Sequence, residues 1–329
     1  MQIVLTGGAG FIGKKLVAAV LERGGLMVDG DLRPLQRLKI LDVVPAAGLP
    51  DDPRLEVVTA DLDAPGVLAG LIDERTDVVI HLAAVVSAGA EADFDLGMRV
   101  NFDGTRAVLE ACRRLPEPPR VLFSSSVAVY GGPAVQGVIT DDTHLVPQTS
   151  YGVQKAAGEL LVMDYHRKGF VDGRSLRLPT IVVRPGRPNK AASTWASSII
   201  REPLAGETTV CPVTRQTEMY VLSPRRVVEA ILDMIDLSSE ALGAERTVML
   251  PGLTVSVDEM MATLEAVAGP KVAARVTFEP DAHIQAIVDG WARRFDAQRG
   301  RKLGFQPDAS FRAIVEAHIE DELAGRIAA

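Results

Sequence analysis

Tyr151 and Lys155 stand four residues apart in the segment YGVQK. On a helix, positions i and i+4 share a face, so a phenol and an ammonium at this spacing can converge on one atom of a ligand. A tyrosine hydroxyl ordinarily titrates near 10; to act as a base at neutral pH that value must fall by roughly three, about 4 kcal/mol of differential stabilisation. A neighbouring fixed cation is the right kind of perturber. Upstream, the run SSSVAVYG ends an apolar stretch and presents the hydroxyl of Ser126. Together these groups suit proton transfer at a substrate hydroxyl.

Such a reaction needs an acceptor, and the chain opens with one signal for it. MQIVLTGGAGFIGKKLVAAVL reads as a short strand (Ile3 to Leu5), a turn with Gly7, Gly10 and Gly13, and an amphipathic helix whose inner face carries Leu16, Val17, Val20 and Leu21. Gly7 permits the turn, Gly10 lets backbone N–H groups approach a pyrophosphate at the helix N-terminus beside Phe11 and Ile12, and Gly13 lets the helix lie close on the sheet. An acid expected about 20 residues on bonds the adenosine ribose. Asp31 has the better spacing, but Asp42 ends the cleaner strand RLKILDVV and is preferred, which makes GGLMVDGDLRPLQR an inserted connection. Val43 and Val44 follow Asp42 with no arginine or serine for a 2′-phosphate, so the cofactor is expected to be NAD.

The 329 residues are 47% hydrophobic, enough for a large core, and the net charge of −8 argues against a nucleic-acid partner. No long apolar run suggests a membrane partner, and the chain enters a strand at once, so a cytoplasmic setting is expected. Cys112 and Cys211 lack disulfide or CxxC spacing, and His81, His144, His166, His283 and His318 form no HExxH, so no metal is expected.

Strands and helices alternate onward: LEVVTADL ending at Asp61, TDVVIHLAAVV ending near Ala84, RVLFSSS, YGVQKAAGELLVMDYHRKG as helix, and SLRLPTIVVRP as strand. This rhythm predicts an α/β fold, a doubly wound parallel sheet of Rossmann type with a small C-terminal substrate-binding domain. Ligands of such sheets sit beyond the carboxyl ends of the strands, where Asp61, Ala83, Ser126 and Pro179 are expected. Residues 1–185 read as the NAD-binding domain, with 216–250 partly returning to it, and 186–329 mainly as a lid over the substrate.

TGGAGFIG, Asp42, ADL at 60–62, HLAA at 81–84, NFDGT from Asn101, SSSVAVYG, YGVQK, LRLPT and a closing LGFQPDASF occur in one order along the chain. In that order they resemble the extended short-chain dehydrogenase/reductases, the NAD-dependent epimerase/dehydratase superfamily. The resemblance implies a catalytic set of Ser126, Tyr151 and Lys155. It implies adenine contacts at Asp61 and Leu62, contacts of Ala83 and Ala84 beside the pyrophosphate and ribose, support from Asn101, and cofactor contacts at Ser124, Tyr151, Lys155 and Pro179. It also implies a homodimer paired through the helices following Glu91 and Tyr151.

Departures from the family narrow the substrate. Nucleotide-sugar members usually carry an asparagine where Thr180 stands and an RDF-type segment where this chain reads QTEMYVLSPRR. What remains is a basic cluster, Arg184, Arg187, Lys190, Arg225 and Arg226, suited to a small carboxylate, with individual members able to serve as solvated or capping charges. AAVVS at 83–87, LPTIVVRPGRPNKAAS and IIREPLAG are similar to the branch that oxidises the 2-hydroxyl of a four-carbon sugar acid. The expected substrate contacts are Ser87, Ser126, Tyr151, Thr180, Arg184 and Lys190. Two other readings stay open: a nucleotide-sugar epimerase or dehydratase that keeps its NAD, and an NAD-sensing regulator without turnover.

Overall fold

A computed structural model describes residues 1–28, 30–186 and 192–328. The chain forms two compact units, the first of residues 1–129, 149–177 and 228–249, the second of residues 130–148, 178–227 and 250–329. These boundaries differ from the domain reading. Residues 130–148 belong with the second unit because the strand Val138–Thr140 pairs in parallel with Arg294–Asp296, a partnership too distant in sequence for local patterning to reveal. Residues 228–249 cluster with the first unit, while 216–227 cluster with the second.

The first unit is built on seven strands: β1 (Gln2–Thr6), β2 (Arg37–Asp42), β3 (Leu55–Thr59), β4 (Thr76–His81), β5 (Arg120–Ser126), β6 (Asp172–Leu178) and β7 (Thr247–Met249). They lie in the order β3, β2, β1, β4, β5, β6, β7, and the pairs formed by β1 with β2 and β4, β2 with β3, β4 with β5, and β6 with β7 are parallel. The sequence explains the arrangement. Ile3, Val4, Ile40, Val78, Val79, Ile80 and Leu122 are fully buried, the near-continuous apolar run of strands covered on both faces. Helix α1 (Phe11–Arg23) buries the expected Leu16, Val17, Val20 and Leu21.

Several boundaries differ from the expected ones. The connection after α1 is an antiparallel hairpin of Gly25–Val28 with Asp31–Pro34. Strand β3 stops at Thr59 and β4 at His81, short of Asp61 and Ala84. The expected strand through LRLPT is divided into Asp172–Leu178 and Thr180–Ile181, because Pro179 has no N–H to continue a ladder. Between β4 and β5 the chain runs through the short helices Ser87–Ala92 and Phe94–Gly97 and a π-helical turn, Met98–Asp103, into α2 (Gly104–Arg113). Helix α3 (Ser150–Arg167) comes next, opened by Thr149, whose side chain accepts from Gly152 N–H at 3.1 Å.

The outer edge of this sheet holds a dense ionic group. Arg120 and Arg174 reach Asp172 Oδ2 at 2.9 and 2.7 Å, and Arg246 pairs with Oδ1. The three guanidinium groups also donate to carbonyls, among them Arg120 to Ile235 O and Arg174 to Leu237 O, each at 2.6 Å. Those carbonyls end helix α4 (Pro224–Asp236), whose C-terminus favours cations.

In the second unit, Thr180–Ile181 pairs in parallel with Glu218–Leu222, which pairs antiparallel with Leu253–Ser256. Trp195, Ile199, Met219, Val221, Met260, Leu264 and Val315 share its core.

Candidate active site

The glycine turn joins β1 to α1. Gly7 has φ of 77°, in the left-handed region, and a Cβ on it would lie 2.7 Å from Ala83 N, so no other residue fits without displacing the end of β4. A Cβ on Gly13 would lie 2.8 Å from Gly8 Cα, and its absence lets α1 press against the turn. Gly10 is less crowded: a Cβ there would lie 3.3 Å from Gly7 O, a tight contact that the turn would have to relieve by a few tenths of an ångström. No side chain caps α1, and no acidic residue occupies its first turn. Phe11 and Ile12 thus open a helix whose N-terminal N–H groups and positive dipole end suit a pyrophosphate.

Neighbouring strand ends supply the other expected contacts. Register pairs Thr6 with Leu41 on one side and His81 on the other, so Asp42 and Ala83 lie at the same edge as the turn. Asp42 accepts from Ala9 N–H at 2.9 Å and from Val44 N–H at 3.3 Å. Asp31 instead begins the fully exposed second strand of the hairpin. Asp61 comes just after β3 and shares Arg99 with Asp63, at 3.3 and 2.6 Å respectively, while Leu62 is buried. Ala83 N–H donates to Thr6 Oγ1 at 3.4 Å, and Ala84 is half-buried in the same loop. These residues fit a dinucleotide.

Asn101 comes from the π-helical turn and is 1% exposed. Its amide donates to Val85 O at 2.9 Å and Gln154 Oε1 at 2.8 Å, and its Oδ1 accepts from Val85 N–H at 2.8 Å. It thereby ties the loop carrying Ala83, Ala84 and Ser87 to α3. Ser87 begins the helix Ser87–Ala92.

Ser126 ends β5, and its Oγ accepts from Ala128 N–H at 3.1 Å, which leaves its proton for donation. Tyr151 and Lys155 lie in the first turns of α3. Gly158 brings that helix close to β5, since a Cβ there would lie 2.5 Å from Phe123 Cζ. Lys155 is 2% exposed. Its Nζ donates to Ser124 O at 2.8 Å and stands 4.7 Å from the Phe123 ring centre and 5.6 Å from that of Tyr151. Burial pulls the ammonium down to about 7, against an opposing attraction from Glu159, so its charge at neutral pH is conditional. Ser124 Oγ donates to His81 O at 3.0 Å.

His81 is buried under this site. Thr105 gives its proton to Asn101 O at 2.6 Å, so His81 Nε2–H donates to Thr105 Oγ1 at 3.1 Å and Nδ1 accepts from Thr6 Oγ1 at 2.6 Å. Burial, then repulsion from Lys155, lowers its titration to about 3, which keeps it neutral. Sequence reasoning missed Glu159, Arg177, Gln154 and Gly158. An acid four residues beyond Lys155, on the same face of α3, was the available signal for Glu159.

Pro179, Thr180 and Arg184 belong to the second unit. Arg184 donates from Nε to Ile181 O and from Nη2 to Ser193 Oγ, both at 3.1 Å. Arg225 is engaged by Asp321 and Glu320, a surface ion pair rather than an open clamp. Arg226 donates its backbone N–H to Ser223 Oγ at 3.2 Å. Arg187 and Lys190 lie outside the described residues.

The chain is 56% identical over 321 residues to a D-erythronate dehydrogenase of Cupriavidus necator, covering 98% of each. It is 42% identical over 323 residues to a D-erythronate dehydrogenase of Haemophilus influenzae, covering 98% of this chain and 100% of that one. A crystal structure described as a nucleoside-diphosphate-sugar epimerase from Agrobacterium tumefaciens superposes with a TM-score of 0.93 at 43% identity, covering 99% of this chain and 95% of that one. The family model for NAD dependent epimerase/dehydratases matches residues 3–245. The chain is therefore a member of the NAD-dependent epimerase/dehydratase family, an NAD-using dehydrogenase of the extended short-chain type.

Proposed function

We propose that the protein oxidises the 2-hydroxyl of a small sugar acid, D-erythronate or a near relative, to the 2-oxo acid. The observation that carries the reaction type is the buried Lys155 held on Ser124 O beneath Tyr151, with Ser126 at the end of the strand it grips. Ser126 donates a hydrogen bond to the substrate hydroxyl, and Tyr151 as phenolate accepts the proton that leaves it. Lys155 favours the phenolate through its charge. Bound NAD supplies the acceptor for the hydride that leaves the same carbon. Gly7, Gly10, Phe11, Ile12 and Gly13 receive its phosphates, Asp42 its adenosine ribose, Asp61 and Leu62 its adenine, with Pro179 a further contact.

The substrate class rests on the names of the two D-erythronate dehydrogenases and on the loss of the asparagine at Thr180. Arg184 and Lys190 are the candidate carboxylate contacts, with Thr180 and Ser87 for hydroxyls. Phe94, Val153 and Leu160 are 60%, 51% and 59% exposed on the helices expected to pair; these apolar groups support a homodimer with a four-helix seam. Cys112 and Cys211 are both unbonded, which suits the cytoplasm.

The name of the Agrobacterium structure favours a second reading, epimerisation of a nucleotide sugar. The two separate in a cuvette. Four- to six-carbon aldonates are added with NAD and absorbance of NADH is followed. A four-carbon acid is expected to give sustained NADH, abolished in Tyr151→Phe. Flat traces with every aldonate, together with interconversion of a UDP-sugar, would reverse the assignment.

A further inference from the structure

Glu159 lies one turn beyond Lys155 on α3 and is 4% exposed, an environment that a carboxylate occupies only when paired. Arg177 on β6 grips both of its oxygens, Nε to Oε1 at 2.9 Å and Nη2 to Oε2 at 2.7 Å. Ser125 donates to Oε1 at 2.5 Å. One residue earlier, Ser124 O accepts from Lys155 Nζ at 2.8 Å. Two consecutive residues of β5 are thus tied to α3, one to each end of the Lys155–Glu159 turn, and the next residue is Ser126.

We propose that Glu159 is a positioning residue: pinned by Arg177 and Ser125, it fixes the register of Ser126 against Tyr151 and Lys155 and supplies the countercharge that keeps the buried amine an ammonium. The kinetic part of this proposal rests on the dehydrogenase reading; the electrostatic part does not. Lys155 is faced by Tyr151 and Glu159 on its own helix, by the Phe123 ring and Ser124 carbonyl on β5, and by neutral His81 on β4. Arg177 reaches Glu159 from β6. Burial is what lowers Lys155, and Glu159 is what raises it. Removing the carboxylate charge leaves burial unopposed, so the neutral amine takes over at pH 7 and Tyr151 loses its cation.

The test uses protein labelled with ¹³C at lysine Cε, without NAD, with the Lys155 signal assigned by Lys155→Met. In the wild type the signal is expected to titrate near 7. In Glu159→Gln its midpoint falls by about one pH unit or more, a tenfold change in acidity. A second arm follows kcat for hydroxy-acid oxidation against pH: the acid limb moves to higher pH while KM changes little. A purely structural Glu159 would lower Tm and scale kcat equally at every pH, leaving the Lys155 midpoint in place. If Glu159→Gln does not fold, Arg177→Gln, which leaves the carboxylate facing Lys155 without its guanidinium, is expected to raise the midpoint instead. A midpoint unchanged in either folded variant overturns the proposal. Should no hydroxy acid yield NADH, the substrate reading fails and the titration still decides the role of Glu159.

Discussion

Replacing Asp172 by Asn keeps the side chain's size and removes a negative charge that three guanidinium groups share. Their side chains are 0%, 1% and 6% exposed for Arg174, Arg246 and Arg120. Breaking a buried ion pair from one side costs about 3–5 kcal/mol, and the C-terminal carbonyls of α4 offset up to about 2 kcal/mol by holding the cations left behind. The net loss is about 3 kcal/mol. At roughly 2–4 °C per kcal/mol for a unit of this size, thermal unfolding monitored by circular dichroism at pH 7 should drop by about 6–12 °C. The pH dependence has a definite sign. Burial raises the Asp172 carboxyl, but Arg174, then Arg120 and Arg246, pull it down further, and the net shift is downward. Stability from a lowered carboxyl is complete above its unfolded value near 4 and is lost as pH falls through the folded value. The gap between wild type and variant must therefore close in acid. A variant melting within about 2 °C of wild type at pH 7, or a gap that widens as the pH is lowered, would refute the idea that this carboxylate balances the three cations.

Two further predictions separate folding from binding and assembly. Gly13→Ala should destabilise the protein by about 1–3 kcal/mol, since its methyl meets the backbone of Gly8, whereas Gly10→Ala, with its looser 3.3 Å contact to Gly7 O, should lower Tm less and lose at least about tenfold in NAD affinity by fluorescence titration. Normal NAD binding by Gly10→Ala would remove the glycine turn from the cofactor site. Leu160→Glu, at a 59% exposed position, should convert a dimer of the wild type to a monomer in light scattering; a monomeric wild type would disprove the proposed seam.

Much of the first unit was legible because its signals are local. The strand, turn and helix at residues 2–23 announce themselves through apolar patterning and three glycines, and α3 carries Tyr151 and Lys155 at the spacing that one turn requires. The choice between Asp42 and Asp31 depended on which run looked buried, and β2 is the buried one while the hairpin strand is exposed. Other features depend on partners far along the chain. Nothing near Val138 signals pairing with Arg294, and nothing near Asp172 signals a guanidinium from position 246. The grip of Arg177 on Glu159 likewise joins a strand to a helix, and each residue alone reads as an ordinary charge.

The π-helical turn Met98–Asp103 governs how this chain tolerates length changes. A π turn is a helix carrying one residue beyond the α-helical count. Deleting a residue such as Val100 would let the segment relax to ordinary winding with the helices on either side keeping their phase, and the cost would fall on the turn itself, whose bulge sets where Asn101 projects. Asn101 and Gln154 could then no longer meet while Val85 stayed in reach. The surplus residue is a spacer, and shortening this stretch by one should damage the protein more than many substitutions within it.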